Sequence, residues 1–191
     1  MKLVQMPTDL LHLDDAGLTP AAVDPGLLTA FRAYLPHVLE DTRGVAILAP
    51  SAAGTRLLMV LARRIGAALR DANIHLRDRG GDLKRDRKKL CYLPGRVLST
   101  ALGNPSDRRA LAVEAAVFLQ DLDEAWPDGP SDGTPLDPNA VRNLLGERQD
   151  AALPTFISAA PGRLPSGLER GLRVRLIVLE PGCVPPSFPA R

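Results

Sequence analysis

Four groups of residues in this 191-residue chain have side chains and spacings suited to chemistry. The first lies in residues 44–64, GVAILAPSAAGTRLLMVLARR: a short apolar run, a turn of small residues, then apolar positions at helical spacing. Such a turn suits phosphate binding, because small residues let successive backbone N–H groups wrap an anion. The full motif also needs a Lys for the outer phosphates and a Ser or Thr for magnesium. Gly54 is present, but Thr55 stands where the Lys belongs and Arg56 where the Ser or Thr belongs. Ser51 on the same turn would serve as a nucleophile only with an acid and then a His later in the chain. His75 alone follows it, with no suitable acid between, so that reading is set aside. The second group is Asp121 and Asp123, which close the apolar run AVFLQDLD and would hold a metal if both faced one site. The third is a basic stretch, Arg77, Arg79, Lys84, Arg85, Arg87, Lys88 and Lys89, interspersed with Asp78, Asp82 and Asp86. Such a run is either a solvated, ion-paired surface or a contact for single-stranded DNA. A single-strand site normally adds stacking aromatics, and Tyr92 is the sole aromatic neighbour. The fourth is Arg173 and Arg175, just ahead of the last apolar run. Cys91 and Cys183 lie far apart without a CxxC or a nearby His, so neither a zinc site nor a disulfide is supported. His12, His37 and His75 are isolated.

These groups need elements to position them, and the composition supplies enough apolar material. Hydrophobic residues are 45% and charged residues 24%, which excludes a disordered acidic chain and a coiled coil. No run approaches the roughly 18 apolar residues of a membrane helix. The opening MKLVQMPTDLLHLDD has no sustained apolar segment or cleavage site, so a cytoplasmic location and no membrane partner are expected. The net charge of +2 does not itself argue for nucleic acid. Apolar runs at 44–50, 116–123, 154–160 and 175–181 read as strands, and Asn73-Ile74-His75-Leu76 as a further one. Helical spacing covers Leu27 to Leu39, with a restart at Pro36, then about four turns from Leu57 to Leu69. Further helices are expected over 105–115 and, with Asp137 as cap and Pro138 at its first position, to about Asp150. Residues 77–89 read as a charged loop or helix cap, and 128–135 as a turn-rich loop beside Trp126, which should cover a core edge. Strands alternating with amphipathic helices imply a parallel sheet covered on both faces. Ligands in such folds sit beyond the carboxyl ends of the strands.

Four phrases in this order resemble the AAA+ ATPase core of the DnaC-type helicase loaders and IstB transposition helpers and, more distantly, of DnaA-type initiators. Where those families have G-P-x-G-T-G-K-T-x-L-A, this chain has APSAAGTRLLM. Where they have L-D-D-L-G, it has LQDLD; where they have R-x(4–5)-P-T-I-I-T-S-N, it has RQDAALPTFISAA; where they have L-x-x-R-L-x-S-R, it has LERGLRVRL. The resemblance spans roughly residues 26–181. It implies a three-layer P-loop NTPase-like fold with about five parallel strands; the residues themselves add an irregular arm at 1–25 and a Pro-rich tail at 182–191, and no helical lid domain is expected.

The departures fall on the chemistry. Phosphoryl transfer rests on positioning and charge neutralisation. The resemblance puts the phosphate-loop Lys at Thr55, the magnesium-binding Asp at Gln120 with Asp121 as the following acid, and the sensor Asn at Ala160, leaving Ser158 as the nearest polar group. Gly54, Thr55, Arg56, Asp121 and Ser158 are then a vestigial nucleotide site, and no ATP hydrolysis and no cofactor are expected; retained ATP and magnesium binding is the alternative. Arg173 and Arg175 fall where the families carry an arginine finger, a role suited to an always-charged fork. The expectation is a catalytically degenerate loader-like or regulatory subunit in DNA replication or mobile-element biology, partnered by an intact AAA+ ATPase or a replicative helicase. The alternatives are a divergent working loader, or a nucleic-acid-binding protein that keeps the fold as a scaffold.

Overall fold

The structure is a computed structural model that describes residues 23–82, 88–126 and 136–183. The helices are α1 (Pro25–Tyr34), α2 (Ser51–Asp78), α3 (Leu98–Gly103), α4 (Pro105–Val113), α5 (Pro138–Asp150) and α6 (Ser166–Arg175). The strands are β1 (Gly44–Leu48), β2 (Leu90–Pro94), β3 (Ala116–Gln120), β4 (Thr155–Ala159) and β5 (Ile177–Leu179). Three helices start on one local device, an Asx residue followed by Pro. The side chains of Asp24, Asn104 and Asp137 accept from Leu27, Ser106 and Asn139 N–H, each at 2.9 Å. Each cap satisfies an otherwise orphaned donor, and the Pro that follows needs none.

The five strands form one parallel sheet in the order β2-β3-β4-β1-β5. Its two faces carry separate cores. Leu27 and Phe31 of α1 and Leu57, Leu58 and Leu61 of α2 pack on Val45, Ile47, Phe118 and Phe156. Leu98, Leu111, Leu144 and Leu168 pack on Ala46, Leu48, Leu119 and Ile157. β1 and β4 are buried along their whole length; β1 therefore reads as an unbroken apolar run, and β4 as one interrupted only by the buried Thr155 and Ser158. Gly44 opens β1 at φ +86°, and a Cβ there would overlap the carbonyl of its partner Thr155. Only glycine fits that approach.

The structure confirms the parallel α/β core and corrects one strand. Residues 73–76 are not a strand but part of α2, which runs 28 residues rather than about four turns. No Gly or Pro lies between Gly66 and Gly80 to stop it, so helix continuation prevails over the strand preference of a lone Ile74. The missing strand is instead β2, Leu90–Pro94, beside β3. A 28-residue helix is roughly 42 Å long, whereas a five-residue strand is about 17 Å. α2 therefore outruns the sheet, and its last buried residue is Ile65. The expected 128–135 loop lies outside the described residues, as do positions 1–22 of the expected arm and 184–191 of the tail. Trp126 packs against the second core cluster, and its Nε1 donates to the Leu136 carbonyl at 2.5 Å.

Candidate functional site

The carboxyl ends of β1, β3 and β4 meet at Asp121. It follows β3 directly, is buried, and adopts a left-handed backbone at φ +48°. Asp and Asn are among the residues that tolerate this region. The turn fits closely beneath Gly95, where a Cβ would overlap the Asp121 carbonyl. Neutral donors surround the carboxylate. Thr55 Oγ1 lies 3.2 Å from Oδ2 and 3.3 Å from Oδ1; Gln120 Nε2 donates to Oδ2 at 2.9 Å; Ser158 Oγ lies 3.4 Å from Oδ1. Ser158 Oγ also accepts the Asp121 N–H at 2.9 Å. Behind them Tyr92 O–H donates to Gln120 Oε1 at 3.0 Å. Burial, and then the charge of Asp121, push the Tyr92 phenol pKa up, so Tyr92 stays a donor. Asp123 is drawn off to a separate bond, accepting the Ala160 N–H at 2.9 Å. Among the described residues no group of three metal-ligating side chains converges.

This geometry revises the register drawn from sequence. Thr55, not Arg56, faces the acid, and Asp121, not Gln120, is the acid it faces. Arg56 lies exposed on the helix. The position one residue before Thr55 is Gly54, and a Cβ there would press on Ser158 Cβ at 3.2 Å. The connection from β1 to α2 is two residues, Ala49 and Pro50. Ala49 N–H is taken by the Ala159 carbonyl, and Ala53 and Gly54 N–H by the Pro50 carbonyl.

The other expected site residues lie elsewhere. α2 starts at the carboxyl end of β1 and runs antiparallel to it, so Arg77 and Arg79 sit near the opposite end of the sheet, where β2 begins. Lys88 is tied there by a backbone exchange with the Asn73 side chain, at 2.8 and 2.9 Å, and Lys89 is exposed beside it. Lys84, Arg85 and Arg87 lie outside the described residues. Tyr92 is buried with its ring stacked on Phe118 at 6.0 Å, so it offers no face to a base. Arg173 is held by Glu180 at 2.8 Å and Glu169 at 3.2 Å. The hydrogen bond from Arg173 holds the Glu180 carboxyl below its ordinary pKa. Arg175 donates to Gln149 Oε1 at 3.1 Å and lies against Gly146.

One residue quoted only as part of a phrase proves central to the scaffold. Arg148 is fully buried, donating to Thr155 Oγ1 and to the Leu111, Glu114 and Pro154 carbonyls at 2.7–2.9 Å. It joins α4, α5 and the start of β4. Burial lowers its pKa to about 10, well above neutrality, so it remains charged.

A parallel sheet ordered β2-β3-β4-β1-β5, with a helix leaving β1, an acid closing β3 and helices on both faces, defines a three-layer α/β core. Solved structures agree on the fold. The chain is similar to a DNA replication initiation factor, with TM-score 0.55 and 10% identity over 81% of this chain and 46% of that one. It is also similar to domain III of the Thermotoga maritima replication initiation protein DnaA, with TM-score 0.54 and 12% identity over 85% of this chain and 65% of that one. The chain thus spans under two thirds of either neighbour. No protein-family model and no curated protein matches it. No helix among the described residues is long and apolar enough to cross a membrane.

Proposed function

We propose that this chain is an AAA+-type module without nucleotide chemistry of its own, acting through protein contacts in DNA replication or mobile-element biology. The observation that carries the reading is the Asp121 carboxylate, engaged by Thr55, Ser158 and Gln120 beside a two-residue connection. A phosphate cradle needs a loop of free N–H groups and a lysine. Here the N–H groups of Ala49, Ala53 and Gly54 are already bonded. The lysines among the described residues, Lys88 and Lys89, sit at the other end of the sheet. The residues present do not fit MgATP.

A module of this kind still has a second side to offer. In the AAA+ cores this chain resembles, a neighbour's arginine reaches the γ-phosphate, and Arg173 and Arg175 fall at that position. Arg175 is the better placed of the two. It would give up one neutral hydrogen bond, whereas Arg173 would have to leave two carboxylates. The partner in this reading is an intact AAA+ ATPase. Phosphate release by the chain alone should stay at background. A partner that binds it should turn over faster with the wild-type chain and lose roughly 10³–10⁵ in rate with Arg175→Ala, while binding changes far less. Turnover by the chain alone that Asp121→Ala abolishes would overturn the first half. Silence of both Arg173→Ala and Arg175→Ala in a stimulated complex would overturn the second.

A further inference from the structure

We propose that the solvent face of α2 is a track for the phosphate backbone of duplex DNA. The proposal is independent of the partner-ATPase reading and uses different residues. Arg56, Arg63, Arg70 and Arg77 recur every seven residues along this helix. Seven residues are two turns less about 20°, so the four stay within about 60° of one another. At 1.5 Å per residue they are about 10.5 Å apart and about 31 Å from first to last.

The stripe lies opposite the buried positions Leu57, Leu61 and Ile65. Arg56, Arg70 and Arg77 are exposed and Arg63 is half-buried. Arg56 and Arg70 have no hydrogen bond or ion pair among the described residues. Arg77 meets its neighbour Asp78 at 3.4 Å, an exposed contact of little strength. The two acids of α2, Asp71 and Asp78, fall to one side of the stripe by helical geometry. Charge along the chain is sharply uneven. Residues 51–89 hold eleven Arg and Lys against four Asp, net +7, while the other 152 residues hold thirteen against eighteen, net −5. A nearly neutral chain therefore carries a strongly positive segment, and α2 places part of that charge in a line.

Guanidinium forks match phosphate oxygens, and such contacts fix a protein on a backbone without reading bases. Single-strand sites add stacked aromatics, and the neighbouring positions on this face, Ala52, Met59, Ala67 and Ile74, include none. A straight row over about 31 Å instead suits a stiff duplex, whose persistence length is about 50 nm.

The test is fluorescence anisotropy of the full chain with a labelled 30-base-pair duplex and a single strand of equal length, across salt. Four phosphate contacts give a slope of log affinity against log salt near −3.6, so raising salt from 50 to 200 mM should weaken binding about 150-fold. Arg56→Gln with Arg70→Gln should bring the slope to about −1.8 and weaken binding at 50 mM at least about tenfold. Arg109→Gln with Arg170→Gln, at exposed positions on the helices of the opposite layer, should change neither. The proposal is overturned if the chain does not bind duplex at 50 mM salt, or if the Arg56/Arg70 variant binds it like wild type. It is equally overturned if the single strand or anionic lipid vesicles are bound in preference to duplex.

Discussion

Arg148→Met is expected to cost about 3 kcal/mol of folding stability, which tests the scaffold that sets the end of the sheet opposite Asp121. Methionine fills the volume of the arginine stem but donates nothing, so four acceptors lose their donor. They are Thr155 Oγ1 at 2.9 Å and the carbonyls of Leu111 at 2.7 Å, Glu114 at 2.9 Å and Pro154 at 2.8 Å. Pro154 keeps the Val117 N–H at 3.4 Å, and the Glu114 bond is only part-buried. Leu111 and Thr155 are left without this donor in buried surroundings, and each such acceptor costs about 1–3 kcal/mol. Against this, the variant no longer buries a charge, which offsets part of the loss. For a chain of this size about 3 kcal/mol lowers Tm by roughly 6–12 °C. Arg148→Ala removes the stem as well and should fall further through the cavity it leaves. Calorimetric and urea unfolding of the three proteins give the numbers. A loss below about 1 kcal/mol in Arg148→Met would refute the reasoning, because it would mean the buried carbonyls find other donors.

Three further outcomes follow from the same geometry. Burial pushes the Cys91 thiol up to about 12, so at pH 8 its thiolate is about one part in 10⁴, against about a quarter for a free thiol; thiol titration of the native protein should count one fast cysteine, Cys183, and two only after unfolding. Because the folded thiol keeps its proton from about pH 9 to 12 while the unfolded one loses it, stability should fall with rising pH across that window. Gly95→Ala should destabilise by several kcal/mol, since its Cβ would overlap the Asp121 carbonyl, whereas Gly103→Ala meets nothing within 4 Å and should be neutral or slightly stabilising in a thermal melt. Gly54→Lys restores a lysine before Thr55 but presses on Ser158, so titration with labelled ATP should show no binding; micromolar affinity would remove the basis for a nucleotide-free module.

Most of the fold was legible in local pattern. The runs that became β1, β3 and β4 are buried on both faces, so their signal is strong, and β5, only partly buried at the sheet edge, still shows as an apolar Ile177-Val178-Leu179. β2 was not legible. Leu90–Pro94 is five residues between Lys88-Lys89 and Gly95, and it becomes a strand because β3 lies beside it. The candidate site was legible as residue types but not as pairs. Thr55 and Asp121 are 66 positions apart, and only the fold brings their side chains into contact.

By itself the sequence determined the helix start at Asp137, the class of the sheet, the lack of a lysine on the β1–α2 turn, and a heavily basic middle segment. All of these are written in neighbours three or four residues apart or in composition, so no knowledge of the rest of the chain is needed to read them. The tertiary structure alone decided that α2 runs on past the sheet and carries Arg77 away from Asp121, that Thr55, Ser158 and Gln120 close around that carboxylate, and that Arg148 is a buried clamp rather than a surface charge. Those outcomes depend on strand order and register, which are fixed by the joint packing of two cores and not by any segment's own preference.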